Sequence, residues 1–232
     1  MFILNIFRKK KFLLCSLVFI IILSSNLTFS SCYSSTSDTE ILYSTAIKKT
    51  VEIRCYNTKD KIGYATGCVV ANEGKILTNK HVIMSNDNFF QHIEIRFFND
   101  DAFIPATILK VSETDDLALL KIDHETEDAF TIGRNVKGGE HIFILGNPNG
   151  FGLSFSEGTV SAPLRYVKYK EKDIKTTQIS IVINEGNSGG PLFNTNGELI
   201  GLITFRLHNH SGEIIQGVSF ALHHSIIKQF LE

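Results

Sequence analysis

The feature that most constrains the fold of this chain is a succession of short apolar runs separated by turn residues. Each run is rich in Ile, Val, Phe, Thr or Tyr, and pairs such as Asn99-Asp100, Gly138-Gly139 and Asn196-Gly197 lie between them. Such runs are typical of β-strands, and these pairs favour tight turns. The predicted strands are Val51–Tyr56, Gly63–Ala71, Lys75–Thr78, Ile93–Phe98, Ala102–Val111, Leu117–Ile122, His141–Leu145, Ser154–Ala162, Thr176–Ile183, Pro191–Phe193, Leu199–Phe205 and Ile214–Phe220.

The number and spacing of these strands predict an all-β fold of two six-stranded antiparallel β-barrels. A single flat sheet of this size would leave long exposed edges, whereas closed barrels leave none. The polar stretch Asp123–Asn135 separates a first barrel at about 50–125 from a second at about 135–222. The last ten residues, 223–232, carry apolar residues at helical spacing and predict a short closing helix. Residues 50–232 are therefore expected to form the folded domain.

The first thirty-one residues have the pattern of an export signal. A basic cluster at Arg8–Lys11 precedes an apolar run at Phe12–Leu23 and then small polar residues. This order is typical of secretory signal peptides, and the run is shorter than the about 20 residues that a membrane-spanning helix needs. We predict a signal peptide over residues 1–31, with an uncleaved N-terminal membrane helix as the alternative. The protein is expected in the bacterial periplasm or cell envelope, or secreted.

The residues that follow leave the mode of anchoring open. Phe29-Ser30-Ser31-Cys32 resembles a loose bacterial lipoprotein signal, in which the cysteine becomes the lipidated first residue. Phe29 departs from the usual aliphatic residue, so lipidation of Cys32 and ordinary cleavage nearby are both retained. The Ser- and Thr-rich composition that follows predicts a flexible tether over residues 32–49.

Charge excludes one class of function. Residues 1–31 contain four basic and no acidic residues, so their removal changes the formal net charge from −1 to −5. A mildly acidic chain without a basic stripe is a poor ligand for nucleic acid.

His208 and His210 lie in a polar loop without a third ligand, so we expect no metal site. Cys55 and Cys68 would form either a disulfide or two buried thiols, and free thiols are favoured.

The strongest chemical signal is the run Gly186-Asn187-Ser188-Gly189-Gly190-Pro191-Leu192. A nucleophilic serine needs an exposed hydroxyl and backbone N–H groups that stabilise negative charge on the substrate carbonyl oxygen. Glycines around Ser188 allow the tight turn that this requires, so the N–H groups of Gly186 and Ser188 are candidates for an oxyanion hole. Taken alone, the run is also typical of a glycine-rich turn, although the catalytic interpretation is favoured.

Two other residues complete the chemistry that a serine nucleophile needs. His81 lies at the end of an apolar strand, and Asp116 directly precedes another. The serine needs an imidazole to accept its proton, and the imidazole needs a carboxylate to orient it. The order His…Asp…Ser, with separations of 35 and 72 residues, is the order found in chymotrypsin-type double barrels. Asp115 is the near rival for the carboxylate; unlike Asp116 it does not directly precede the strand, and it is expected to face water.

At these places the sequence resembles the HtrA/Deg group of trypsin-like serine peptidases. The segments that resemble that group's His, Asp and Ser motifs and its second-barrel strands are Thr78–Ile83, Asp116–Ile122, Gly186–Leu192, Gly146–Gly150, Glu157–Ala162, Asn196–Gly201 and Gly217–Ala221. The resemblance covers about Thr50 to the C-terminus. It implies that His81, Asp116 and Ser188 form a catalytic triad.

The resemblance also implies where the specificity pocket lies. Its candidate lining residues come just before Ser188 and from the strand after it: Val182, Ile183, Asn184, Ile203, Thr204 and Phe205. No carboxylate stands six residues before Ser188, so cleavage after small or medium aliphatic residues is expected. Asn187 stands where zymogen-type relatives carry an aspartate, which implies activity without N-terminal processing beyond signal removal.

The resulting functional hypothesis is a serine endopeptidase, without a cofactor, that cleaves unfolded or exported proteins. The family often forms homotrimers through N-terminal apolar residues, for which Ile41, Leu42 and Tyr43 are the candidates. Family members usually carry PDZ modules after the protease, and the sequence leaves no room for one before Glu232. Two alternatives remain: a processing protease with one partner, and a non-catalytic, chaperone-like envelope protein that uses the same fold to bind other chains.

Overall fold

A computed structural model describes residues 37–58, 61–169, 172–208 and 214–232. The predicted signal peptide, Cys32 and the first part of the predicted tether lie outside these residues, as does His210. The described chain is mostly β-structure with a helix near each end, so the predicted fold class is confirmed. Neither described helix is long and apolar enough to span a membrane.

The first half of the domain forms a seven-stranded antiparallel sheet, which we call the first sheet. Its strands have the order β7-β6-β1-β2-β3-β9-β8, and β4 and β5 form a separate hairpin. The strands are β1 Thr50–Tyr56, β2 Gly63–Ala71, β3 Lys75–Thr78, β4 Met84–Ser85, β5 Asn88–Phe89, β6 His92–Phe97, β7 Ile104–Pro105, β8 Thr107–Val111 and β9 Ala118–Lys121.

The sheet closes on itself through a bend rather than through a ladder. Only Ala106 separates β7 from β8, yet β7 pairs with β6 and β8 pairs with β9 at the other end of the sheet. Pro105 has no N–H to donate, which favours a break at this point. Counted as one bent strand, β7 and β8 give the six strands that the sequence predicts.

The second half forms a closed six-stranded antiparallel barrel, the second barrel, as predicted. Its strand order is β10-β11-β12-β15-β14-β13. The strands are β10 His141–Gly146, β11 Ser154–Tyr169, β12 Lys172–Ile179, β13 Pro191–Asn194, β14 Leu199–His208 and β15 Ile214–His223. Strands β11 and β12 extend further than predicted, up to the pairing of Tyr169 with Lys172.

Two α-helices flank these sheets. Helix α1, Asp38–Ala46, lies within the segment predicted to be a flexible tether. That prediction is wrong for these residues because Leu42, Tyr43 and Ala46 pack against the core. Helix α2, His224–Leu231, is the expected closing helix and buries Ile227 and Phe230.

The core consists of three apolar clusters that follow strand alternation. Within β9, Leu119 belongs to a central cluster shared by both halves, whereas Ala118 and Leu120 face the interior of the first sheet. Within β10, Phe143 belongs to the same central cluster, and its neighbours face the interior of the second barrel. Because side chains on a strand alternate between faces, each half fills its own interior and also contributes to a shared one.

The end of the chain contacts the first sheet directly. The ammonium group of Lys110, in β8, donates a hydrogen bond to the carbonyl of Phe230. It also lies 4.8 Å from the centre of the Phe230 ring. Helix α2 therefore joins the two halves of the domain.

Candidate active site

The imidazole of His81 and the carboxylate of Asp116 meet at the end of the paired strands β3 and β9. Thr78 lies opposite Ala118 in this ladder; His81 belongs to the short 3-10 turn Lys80–Val82 after β3. Its Nδ1 atom is 2.7 Å from Oδ2 of Asp116, and its backbone N–H donates to Oδ1 at 2.9 Å. When Nδ1–H donates to the carboxylate, the neutral ring keeps its lone pair on Nε2, at the opposite side.

Further hydrogen bonds hold the carboxylate-bearing residue in place. The hydroxyl of Thr204 donates to Oδ2 of Asp116 at 2.9 Å, and the amide of Asn79 donates to the Asp116 carbonyl at 2.9 Å. The rival carboxylate, that of Asp115, instead accepts from the hydroxyl of Thr114 at 2.7 Å. The structure therefore brings Asp116, and not Asp115, to His81.

The backbone N–H groups of Gly186 and Ser188 are free to bind a ligand. In each case the carbonyl of the preceding residue accepts a backbone hydrogen bond, from Asn149 at 2.8 Å and from Gly190 at 2.9 Å respectively. Because the peptide bonds are trans, the two N–H groups point away from these partners, and in the described chain neither donates elsewhere. Gly186 has a φ of +93°, and a Cβ added there would lie 2.0 Å from the Asn147 carbonyl oxygen.

Thr66 connects this loop to the first sheet. Its backbone N–H donates to the Ser188 carbonyl at 2.9 Å, and its hydroxyl donates to the Gly186 carbonyl at 2.7 Å. The same hydroxyl accepts from the N–H of Asn147 at 2.9 Å, and the Thr66 carbonyl accepts from the Thr78 hydroxyl at 2.8 Å. Thr66 is fully buried. Sequence reasoning missed it because a threonine in a strand carries no chemical signal.

The hydroxyl of Ser188 lies in the same cavity as His81. In the described part of the chain its one hydrogen bond is to the Thr204 carbonyl at 3.4 Å, and it does not bond to His81. The cavity has a volume of about 300 Å³, and its remaining walls come from Gly63, Tyr64, Ala65, Val82, Met84, Ser85, Phe90, Glu185 and Gly186.

Three of the predicted pocket residues do not offer side chains to a pocket. Ile183 and Ile203 are 4% and 0% exposed and pack inside the second barrel. The hydroxyl of Thr204 faces Asp116. The structure does not support a pocket-lining role for these three side chains; Ile183 and Ile203 belong to the same buried cluster, and a β-bulge lies between Ile203 and Phe205.

The other predicted pocket residues surround a basic side chain that sequence reasoning did not single out. Val182 and Asn184 are exposed, and Phe205 stacks on Phe220 with ring centres 5.3 Å apart. Arg206 crosses toward them from β14: its Nη1 atom donates to the Ile183 carbonyl at 3.1 Å. A guanidinium group therefore occupies the region where an aliphatic pocket was expected.

The two cysteines of the described chain lie outside this site. Cys55 and Cys68 are buried in different clusters, and burial raises the pKa of the Cys55 thiol to about 12 and also raises that of Cys68. Among the described residues, no three potential metal ligands lie close enough to hold one ion.

The sequence matches the family model described as trypsin-like peptidase domain over residues 65–202, which is more than half of the chain and includes His81, Asp116 and Ser188. A curated relative named probable periplasmic serine endoprotease DegP-like, from Hahella chejuensis, is 35% identical over 139 residues. Another, the mitochondrial serine protease HTRA2 of Drosophila virilis, is 33% identical over 147 residues. These matches cover 59% and 61% of this chain and 28% and 34% of the two relatives.

Among solved structures, the fold is similar to that of an HtrA-type protease, AlgW, with a tripeptide. The TM-score is 0.72 and the sequence identity 28%, and the match covers 84% of this chain and 62% of that one. The family match, the fold and the arrangement of His81, Asp116 and Ser188 agree with one another. The chain therefore belongs to the trypsin-like peptidase family, and the relatives it is similar to are HtrA-type serine proteases.

Proposed function

We propose that this chain is a serine endopeptidase in which Ser188 is the nucleophile, His81 the general base and Asp116 the residue that orients the base. The observation that carries the proposal is the double hydrogen bond between His81 and Asp116 beside the Ser188 hydroxyl in one cavity. A carboxylate on Nδ1 fixes the tautomer in which Nε2 can accept a proton, and it stabilises the imidazolium that forms.

In the proposed reaction, Ser188 Oγ turns from the Thr204 carbonyl toward Nε2 of His81 and attacks the substrate carbonyl carbon. Hydrogen bonds of this kind are often long before substrate binds and shorten in the complex. Nε2 accepts the serine proton and then donates it to the leaving amine, and a water molecule releases the acyl group by the same steps. The N–H groups of Gly186 and Ser188 stabilise the oxyanion. These groups carry every step, and the reaction as proposed uses no cofactor.

The substrates and location proposed for the protein follow its relatives. Relatives named periplasmic serine endoproteases support export to the periplasm or cell envelope, where unfolded or exported proteins would be cleaved. Lipidated Cys32 and an uncleaved N-terminal helix are the two proposed anchors. Cleavage after small or medium aliphatic residues was expected because no carboxylate stands six residues before Ser188; the guanidinium of Arg206, which donates to the Ile183 carbonyl, does not favour it.

We further propose that the chain forms a homotrimer through the region of α1. Leu42 and Tyr43 already pack against the chain's own core, whereas Ile41 is 52% exposed. A second copy would therefore contact Ile41 first. Light scattering on the eluted protein should give three times the chain mass, and Ile41→Glu should lower it; an unchanged monomer mass would contradict the proposal.

A fluorophosphonate probe that reacts only with activated serines tests the proposed activity. The chain should be labelled, and Ser188→Ala and His81→Ala should abolish labelling. Ser180→Ala is the matched control, because this exposed serine lies outside the cavity, and it should be labelled like the wild type. No labelling of the wild type, together with binding of casein without cleavage, would favour the non-catalytic alternative.

A further inference from the structure

The side chain of Arg206 lies where the acyl half of a substrate must bind. A carbonyl carbon on Ser188, with its oxygen at the N–H groups of Gly186 and Ser188, fixes the position of the scissile bond. The leaving half extends past His81, which donates the proton to the amine. The acyl half must extend to the other side, between residues 182–186 and residues 204–206 of β14, since the Thr204 carbonyl lies 3.4 Å from Ser188 Oγ.

Arg206 spans this space from one wall to the other. It follows Thr204 by two residues in β14, and its Nη1 atom donates to the Ile183 carbonyl at 3.1 Å and approaches Asn184 Oδ1 at 3.5 Å. Both contacts are on the loop that leads to Gly186. The guanidinium group is therefore held at one end against the loop that leads to Gly186 and Ser188.

The charge of Arg206 is not neutralised by a neighbour in the described chain. The ion pairs of the described residues join other groups, and none includes Arg206. A guanidinium has five N–H donors, and both contacts above use Nη1, so among the described residues Nε–H and the second terminal nitrogen have no acceptor. Planar donors of this kind bind a carboxylate through two parallel hydrogen bonds.

From this arrangement we infer that Arg206 selects substrates with an acidic side chain, Glu or Asp, immediately before the scissile bond. The inference depends on the proposed endopeptidase activity and names its substrate class. A carboxylate in this subsite would pair with Arg206, whereas a lysine or arginine side chain would meet like charge. An aliphatic side chain would leave the guanidinium desolvated without a partner, which is unfavourable. Sequence reasoning expected an aliphatic preference because no carboxylate stands six residues before Ser188, and it overlooked Arg206.

Four fluorogenic peptides that differ only in the residue before the scissile bond, Glu, Gln, Val or Lys, test the inference. The Glu and Gln peptides are nearly isosteric and differ in charge. We expect the wild type to cleave the Glu peptide with a kcat/KM about tenfold to hundredfold above that of the Gln peptide, the range expected when hydrogen bonds to a charged group are lost. Active sites in each preparation are counted with the fluorophosphonate probe, so that kcat refers to competent enzyme.

Variants at the same position separate specificity from folding. Arg206→Gln should bring the Glu/Gln ratio close to one, and Arg206→Lys should keep part of it. Arg206→Glu should cleave the Lys peptide faster than the Glu peptide, and such a gain cannot come from unfolding. Equal cleavage of Glu and Gln peptides by labelled wild type, or a preference for Val, would overturn the inference while leaving the proposed function intact. Absence of labelling would remove both.

Discussion

The two halves of the candidate active site are held in different ways. The His81–Asp116 pair depends mainly on the first sheet, because β3 and β9 are paired and both bonds between the two residues are local to that ladder. The serine loop belongs to the second barrel, yet the carbonyls of Gly186 and Ser188 are held by Thr66 of the first sheet. The acid–base pair is therefore held mainly by contacts within the first sheet, whereas the serine loop is held by hydrogen bonds from both halves.

The largest expected effect concerns the acid–base pair. Asp116→Asn should lower kcat by about 10⁴-fold, because an amide favours the wrong imidazole tautomer. Stability should change little, since the amide oxygen can still accept the His81 N–H. The comparison variant is Asp115→Asn, which should retain full activity in the same peptide assay. A similar loss in both variants would mean that the local contacts do not define the acid–base pair.

The second prediction concerns the loop that depends on both halves. Gly186→Ala should lower kcat by about 10³-fold, because its Cβ would meet the Asn147 carbonyl oxygen at 2.0 Å and displace an oxyanion N–H. Gly138→Ala is the control, since a Cβ there meets nothing within 4 Å. Labelling by the fluorophosphonate probe should be lost in the first variant only. Wild-type rates for Gly186→Ala would contradict the oxyanion assignment.

The third prediction tests the link between the halves. Thr66→Val keeps the shape of the side chain but leaves the Gly186 carbonyl and the Asn147 N–H, both buried, without their partner. We expect a loss of about 1–3 kcal/mol in the free energy of unfolding and a fall in kcat of about tenfold or more with KM nearly constant. Thr66→Ser should restore both values. If kcat survives while stability falls, Thr66 is structural and does not position the loop.

The smallest expected effect is a pH dependence of the second half. Burial, with the charges of His224 and Lys175, lowers the pKa of His223 to about 4. Below about pH 6.5 the unfolded chain therefore binds a proton that the folded chain does not, so stability falls between pH 6.5 and pH 4. His223→Asn can still cap α2 and should remove roughly 1–3 kcal/mol of this fall, measured as urea unfolding at pH 7 and pH 4.5. If the free energies of unfolding of His223→Asn and the wild type fell equally between pH 7 and pH 4.5, the effect could not be assigned to His223.

The sequence predicted the fold well where strand composition and turns coincide. It missed α1 because Ser and Thr suggested a tether, although Leu42 and Tyr43 had apolar surface to bury. It missed the extended arm of β11 and β12 because alternating lysines there look like a solvated loop. The residues His81, Asp116 and Ser188 were identified from their local motifs, their order along the chain and the resemblance to the HtrA/Deg group.

What could not be predicted depends on contacts between distant parts of the chain. Thr66 acts on Gly186, 120 residues away in sequence, and nothing in its own segment indicates this. Ile183 and Ile203 belong to one buried cluster inside the second barrel, and periodicity does not specify such a contact between distant segments. Arg206 was overlooked for the same reason. Its proposed role depends on the contact of its guanidinium with the Ile183 carbonyl, which the sequence does not indicate.

The contact between Lys110 and Phe230 bears on when such an enzyme could first act during its synthesis. The chain emerges from the ribosome N-terminus first, so the first sheet is complete while Ser188 and α2 are still unmade. Even after Ser188 emerges, the docking that Thr66 requires lacks the helix that joins the halves. A chain interrupted before α2 would lack the contact between Lys110 and Phe230, so we expect it to be less active than a chain that carries the helix.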